Sequence, residues 1–193
     1  QGPAGSAVDA ARQKEAHAHS TISRGNFVFA ADLGMDCVIT YAITDSPLSE
    51  IHRFATPPGS GCRSLALHPT LDFLAVTCEL TGKVLVLRML PSGQLESTAE
   101  ANLYPDYWPA VGGEDRLRFN GGKWGNDVCF SPDGRFLYAA ARLHNSISVF
   151  EFPSLSLVQR IASNGETPRM LCLAPDGALL LVANQHGHNV SCF

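Results

Sequence analysis

Apolar residues along this chain fall in short runs separated by turn residues, and the order of the runs repeats. The segments AHSTISRGNFVFAADLGMDCVITY, RSLALHPTLDFLAVTCELTGKVLVL, NDVCFSPDGRFLYAAARLHNSISVF and RMLCLAPDGALLLVANQHGHNVSCF share one plan. Each has an apolar run, a tight turn, a second apolar run ending in a polar break, and a third, alternating run. This pattern predicts three strands of an antiparallel sheet per unit. The units recur every ~40–46 residues, the spacing of a radial repeat such as a β-propeller. The fold class expected is therefore all-β, with about four blades represented.

The turns support the strand reading. Ser131-Pro132-Asp133-Gly134 and Ala174-Pro175-Asp176-Gly177 place Pro where φ near −65° is wanted and Gly where φ turns positive. Phe136-Leu137-Tyr138 and Leu179-Leu180-Leu181-Val182 are apolar without alternation, as in strands covered on both faces. Lys83-Val84-Leu85-Val86-Leu87 and Ser146-Ile147-Ser148-Val149-Phe150 alternate better and are expected nearer a surface. With the turns aligned, Leu33, Glu79, Arg142 and Gln185 share one slot. A position that changes so widely in chemistry does no single packing job. It reads as a ring of side chains aimed at a common centre.

Two stretches break the rhythm. Residues 1–16 have no period and read as a loop leading into the blades of residues 17–193. Residues 101–125 hold Tyr107, Trp108, Phe119 and Trp124 and read as an inserted loop. A loop of this length is uncommon in a compact domain, and an aromatic one either lines a site or decorates the surface. The Trp-Asp dipeptide that closes many propeller repeats is absent from the units.

Composition narrows the class. Apolar residues make up 45% and charged residues 17% of the 193, enough for a core. A net charge of −4 argues against a general binder of nucleic acid or of an anionic membrane. No apolar stretch has the length of a membrane-spanning helix. The six cysteines form no CxxC pair, and Cys129 and Cys172 hold the same inner-strand register in neighbouring units. The reading is of free thiols acting as small buried hydrophobes in a reducing compartment, cytoplasmic or organellar.

The run Arg12-Gln13 with His17-Ala18-His19-Ser20 and Phe27 to Gly34 resembles the lactonase-type propeller family. That family takes in 6-phosphogluconolactonases and carboxymuconate-lactonising enzymes. Pro58-Gly59-Ser60-Gly61-Cys62-Arg63, Leu67-His68-Pro69, Ser131 to Tyr138, Thr167-Pro168-Arg169 and Val182-Ala183-Asn184-Gln185 carry the resemblance onward. It implies a seven-bladed propeller of four-stranded blades, matched here in its later part, so a fragment of a longer chain is expected. The remaining blades would come from missing chain or from an oligomer.

The resemblance also implies a catalytic set of His19, Arg63, Glu79 and Arg142. Arg63 follows the Gly-Ser-Gly-Cys turn, Glu79 lies 16 residues on, and Arg142 fills the same slot in the next unit. The His-x-His-Ser context selects His19, whereas counting back by that spacing from Leu33 selects His17; both are carried. The residue types suit lactone chemistry. A carboxylate or imidazole moves a proton, and guanidinium groups clamp an anion and steady developing negative charge. His17, Arg169, Gln185 and Lys123 are candidate substrate-binding residues, with Lys123 or Arg116 suited to a phosphate end. No metal or cofactor is required by this set.

Each residue also has a plain structural reading. Glu79 could be half of an ion pair at a blade junction, and Arg169 with Gln185 repeats its spacing. Asp32, His68, His144, His186 and His188 read as turn or hairpin residues. The function expected is that of an enzyme acting on a small anionic lactone or carboxylate. Hydrolysis of 6-phosphogluconolactone comes first and cyclisation of a carboxymuconate is its reverse-direction variant. A non-catalytic propeller, serving as a scaffold or as a subunit of a larger assembly, is the alternative.

Overall fold

The computed structural model describes residues 4–43, 48–106 and 123–193. They form an all-β chain, with no helix among the described residues. The first blade holds β1 (Ala18–Arg24), β2 (Phe27–Asp32), β3 (Cys37–Ala42) and β4 (Ser49–Ala55). The second holds β5 (Cys62–Leu67), β6 (Phe73–Cys78), β7 (Lys83–Met89) and β8 (Leu95–Asn102). The third holds β9 (Gly125–Phe130), β10 (Phe136–Ala141), β11 (Ser146–Glu151) and β12 (Ser156–Ala162). The fourth holds β13 (Pro168–Leu173), β14 (Leu180–Asn184) and β15 (Asn189–Cys192). Every sheet is an antiparallel meander with its strands in chain order. The first strands β1, β5, β9 and β13 stand side by side, each against the next, which places them innermost.

The sheets pack face to face, and the core lies between them. Phe29, Val38, Leu65, Val76 and Leu87 fill the space between the first two blades. Val84, Val86, Phe130, Leu137 and Phe150 fill the next, and Ile147, Leu171, Leu180 and Val182 the last. Gly134 and Gly177 take φ of +74° and +71°, and each closes its turn onto the carbonyl of Ser131 or Ala174. The Pro-Asp-Gly turns are as the sequence predicts.

Three expectations are corrected. First, β7 and β11 are central strands rather than surface ones: Val84, Val86, Leu87 and Ile147 are fully buried. The exposed strands are a fourth set, β4, β8 and β12, whose SEIHRFA, LESTAEAN and SLVQRIA are polar or mixed and show no clean period. Second, Leu179 and Leu181 are exposed, because no sheet among the described residues covers the outer face of the fourth blade. Third, Cys172 is exposed for the same reason, while Cys129, its counterpart in the third blade, packs against the fourth.

The segment before β1 is tied down. Gln13 is fully buried; its Nε2 donates to Leu33 O at 2.9 Å and to Asp36 Oδ1 at 2.7 Å. Ala4 and Glu15 bridge the segment onto itself. The inserted loop runs between β8 and β9, with Ala101, Asn102 and Gly125 belonging to those strands. Its two ends are joined at Tyr104, which is buried. The Tyr104 hydroxyl donates to Trp124 O at 3.0 Å and accepts from Trp124 N at 2.9 Å. Tyr107, Trp108, Arg116 and Phe119 lie outside the described residues.

Candidate functional site

One backbone device recurs at the inner end of every blade. The residue just after the second strand donates its amide to the carbonyl of the residue just before the first. Leu33 bonds His17 at 2.9 Å, Glu79 bonds Gly61 at 2.7 Å, Arg142 bonds Trp124 at 2.8 Å and Gln185 bonds Thr167 at 2.9 Å. The shared slot read from sequence is thus a shared hydrogen-bonding position. Two residues beyond each of those carbonyls, the first strand carries an irregularity. The register shifts between Ala18 and Ser20, between Cys62 and Leu65, between Ala139 and Ala141 on the facing strand β10, and between Pro168 and Met170. The residues standing there are His19, Arg63, Asn126 and Arg169. A bulge leaves its extra residue unpaired and re-aims the side chain. This structure puts His19, rather than His17, in the place that Arg63 holds.

Slot and bulge residues meet across this end of the molecule. Arg63 Nε donates to Glu79 Oε2 at 2.8 Å, and its Nη1 donates to the Asn126 carbonyl at 3.1 Å in the next blade. Arg12, on the segment before β1, donates from Nη2 to Glu79 Oε1 at 2.7 Å. Arg169 Nη1 donates to Gln185 Oε1 at 3.0 Å, and Arg142 Nη2 reaches the same oxygen at 3.5 Å. Arg142 lies 4.8 Å from the centre of the Trp124 ring, and Arg12 lies 5.8 Å from it. Asn126 is fully buried and donates from Nδ2 to Pro168 O at 2.7 Å.

The balance of charge is positive. The guanidinium groups of Arg12, Arg63, Arg142 and Arg169 stand against two carboxylates, Glu79, which pairs with two of them, and Asp127, whose charge reaches Arg63, in a chain whose net charge is −4. Burial first, and then the repulsion of Arg169, lower the pKa of Arg142 to about 10, with Glu79 acting in opposition. Arg63 is lowered too, by burial first, although Glu79 pairs with it. Both remain charged at neutral pH. Burial and then the Arg63 charge hold His19 below the usual histidine value, so its imidazole is neutral at pH 7. The His17 ring lies 5.9 Å from it. A partly buried cluster of guanidinium donors beside a neutral imidazole can bind a small anion, stabilise an oxyanion and accept a proton.

The sequence-predicted residues divide. Arg63 and Glu79 bond each other, Gln185 takes Arg169 and, at the longer distance, Arg142, and His19 is close enough to feel the charges of Arg63 and Glu79. Lys123 makes no bond to the cluster among the described residues; its backbone and Cβ lie against Gly82. Leu33, the fourth slot residue, is fully buried and adds no polar group to the ring. Asp32 caps its turn through Met35 N at 2.9 Å, and His68 Nδ1 accepts from Leu71 N at 2.9 Å, both as turn residues. Arg12, Trp124 and Asn126 were not among the candidates. Asn126 had a signal, since it precedes Arg142 by the interval that separates Arg63 from Glu79. Arg12 had none in the repeats, because it lies before them.

Comparison with known proteins agrees with this architecture. The family model for lactonases with seven-bladed β-propellers matches residues 2–193. The 6-phosphogluconolactonase of Bacillus subtilis is 31% identical over 94% of this chain and 51% of its own length. Among solved structures, the periplasmic gluconolactonase of Pseudomonas aeruginosa superimposes with a TM-score of 0.85 at 29% identity, over 100% of this chain and 53% of that one. A protein from Lactobacillus plantarum does so with a TM-score of 0.86 at 25% identity, over 54% of its length. The chain spans about half the length of the relatives it matches.

Proposed function

Because this chain belongs to the lactonase family of seven-bladed β-propellers, we propose that its guanidinium cluster binds and hydrolyses a small anionic sugar lactone. The observation that carries the proposal is the surplus of guanidinium over carboxylate at the inner blade ends, with Arg63 and Arg142 buried and a neutral histidine in register beside them. Such a surplus needs an anion to complete it. The names of the relatives favour 6-phosphogluconolactone as that anion. They give no support to a carboxymuconate, which the same groups could hold.

The reaction asks for three services. A water must lose a proton as it attacks the lactone carbonyl carbon; the neutral His19 imidazole accepts that proton. Negative charge grows on the carbonyl oxygen as the tetrahedral intermediate forms; the buried Arg63 and Arg142 offer it N–H donors. When the ring C–O bond breaks, the leaving alkoxide regains a proton from the imidazolium. Glu79, with each oxygen bonded to a guanidinium, fixes the direction in which Arg63 points. Arg169 and Gln185 are left to hold the far anionic end of the substrate.

The test is direct. Purified protein should remove 6-phosphogluconolactone faster than the lactone hydrolyses by itself, and Arg142→Ala should lower that rate by roughly 10²–10³-fold, the effect of losing one oxyanion donor. A wild type no faster than the spontaneous reaction would leave the non-catalytic scaffold as the reading.

A further inference from the structure

Besides Arg63, one guanidinium bonds Glu79 and a second, that of Arg142, feels its charge without bonding it. Arg12 Nη2 takes Oε1 at 2.7 Å. Arg142 has only the 3.5 Å approach to Gln185, and its buried Nε has no hydrogen-bond partner among the described residues. Glu79 is nevertheless near enough to favour the charged form of Arg142. A desolvated guanidinium beside an unoccupied carboxylate oxygen pairs with it, because a charge-assisted hydrogen bond is the strongest contact either can make there. Oε1 would be that oxygen if Arg12 were absent.

Arg12 reaches this position from outside the blades. It follows the sharp turn begun by Asp9, whose Oδ1 accepts from Arg12 N at 3.0 Å, and it precedes the buried anchor Gln13. Its side chain remains 31% exposed. Trp124 gives Arg12 and Arg142 a common neighbour. A guanidinium lying on an aromatic ring keeps its N–H edge free for an anion.

Building on the anion-binding reading above, we propose that Arg12 is a positioning residue: by occupying Oε1 of Glu79 it keeps Arg142 unpaired and available to the substrate anion. The surplus positive charge of the site then depends on a residue that no repeat unit contains. Arg12 need not touch the substrate.

A double-mutant cycle on binding of inorganic phosphate, measured by calorimetry on the whole protein, tests this. Arg12→Met should weaken phosphate binding by about tenfold or more, the scale of one charge-assisted hydrogen bond lost to competition. In a Glu79→Gln background the same change should cost no more than about threefold, since no carboxylate is left to capture Arg142. Equal costs in both backgrounds mean that Arg12 acts only as a distant charge, and overturn the proposal. Arg12→Lys retains one donor for Oε1 and should bind phosphate within about threefold of wild type; a loss as large as that of the methionine variant also overturns it. A crystal structure of Arg12→Met should show Glu79 hydrogen-bonded to Arg142. An Arg142 still resting on Trp124 with Glu79 unmoved refutes the mechanism. Phosphate binding does not require turnover, so a protein that shows this cycle but leaves lactones intact refutes the proposed hydrolysis and not the role of Arg12.

Discussion

Arg63 and Glu79 are 16 residues apart in the chain, and the guanidinium Nε of one donates to the carboxylate Oε2 of the other at 2.8 Å. The pair is formed by a bulge on β5 and the end of β6, and its side chains are only 7% and 1% exposed. Removing one partner of a buried pair leaves the other charge desolvated and unmatched. Glu79→Ala should therefore cost about 3 kcal/mol of unfolding free energy in urea and also reduce lactone turnover at least about a hundredfold. The far-ultraviolet spectrum should be unchanged, because the blade sheets do not depend on this contact. Replacing both residues with apolar ones should cost less stability than Glu79→Ala alone while leaving activity abolished. A double replacement that is the less stable of the two would show that the pair is a net source of stability.

The pH dependence follows from His19. Burial and Arg63 lower its pKa below 6.5, so the folded protein binds a proton there less readily than the unfolded chain. In the window from 6.5 down to the lowered value the unfolded state holds more protons, and stability rises with pH. The neutral imidazole's contribution is complete above 6.5 and declines as the pH falls through that window. The acid limb of kcat/KM should have its midpoint below 6.5, matching the His19 ring titration followed by NMR. His68 and His144 are lowered by burial as well and add their own slope. The His19 share is thus the difference between wild type and His19→Gln. A midpoint above 6.5 would exclude His19 as the proton acceptor.

The inner ends of the blades were legible in the sequence because they repeat. Slot residues fall after an apolar run at a fixed distance from a Pro-Asp-Gly or equivalent turn, and that regularity gave Glu79, Arg142 and Gln185 their common position. The bulge was legible only through its consequence. The Arg63–Glu79 interval spans a hairpin with one extra residue, and the shorter turn at Gly25 upset the same count in the first blade. The outer strands β4, β8 and β12 were not legible, because each packs only a few residues, such as Phe54, Ala99 and Ile161, against the core and so carries a weak apolar signal. Arg12 was hidden for a different reason. Its partner lies 67 residues away, and nothing local announces a side chain that crosses to another blade.

Blade-to-blade packing is sensitive at Gly134. This residue has φ of +74°, and a Cβ there would overlap the His68 ring from the neighbouring blade. His68 is itself held by its bond to Leu71 N and by contact with Phe130 and Phe152. Gly25 has φ of +56° but nothing within 4 Å of the equivalent point. Gly25→Ala should cost about 1 kcal/mol, the strain of a left-handed alanine. Gly134→Ala should cost about 2 kcal/mol or more, since packing conflict adds to that strain. Urea unfolding of the two variants measures the difference, and equal losses would mean that His68 yields freely.

The cysteines report whether the outer face of the fourth blade is covered. Cys129 and Cys172 hold equivalent places in β9 and β13, but the fourth blade shields the first and nothing among the described residues shields the second. Burial raises the Cys129 thiol to about 12, so almost none of it is thiolate at neutral pH. In the chain of residues 1–193, Cys172 should react with a thiol reagent about 10²-fold or more faster than Cys129, because it is exposed and Cys129 is both shielded and held as the thiol. The exposed Cys192 should react alongside it, and the buried Cys37, Cys62 and Cys78 only on unfolding. Peptide mapping of the labelled protein assigns the sites. A sheet packed onto the fourth blade, of the kind that covers every other blade junction here, would slow Cys172 to the rate of Cys129. Slow labelling of Cys172 in this chain would mean that its outer face is already occupied in solution.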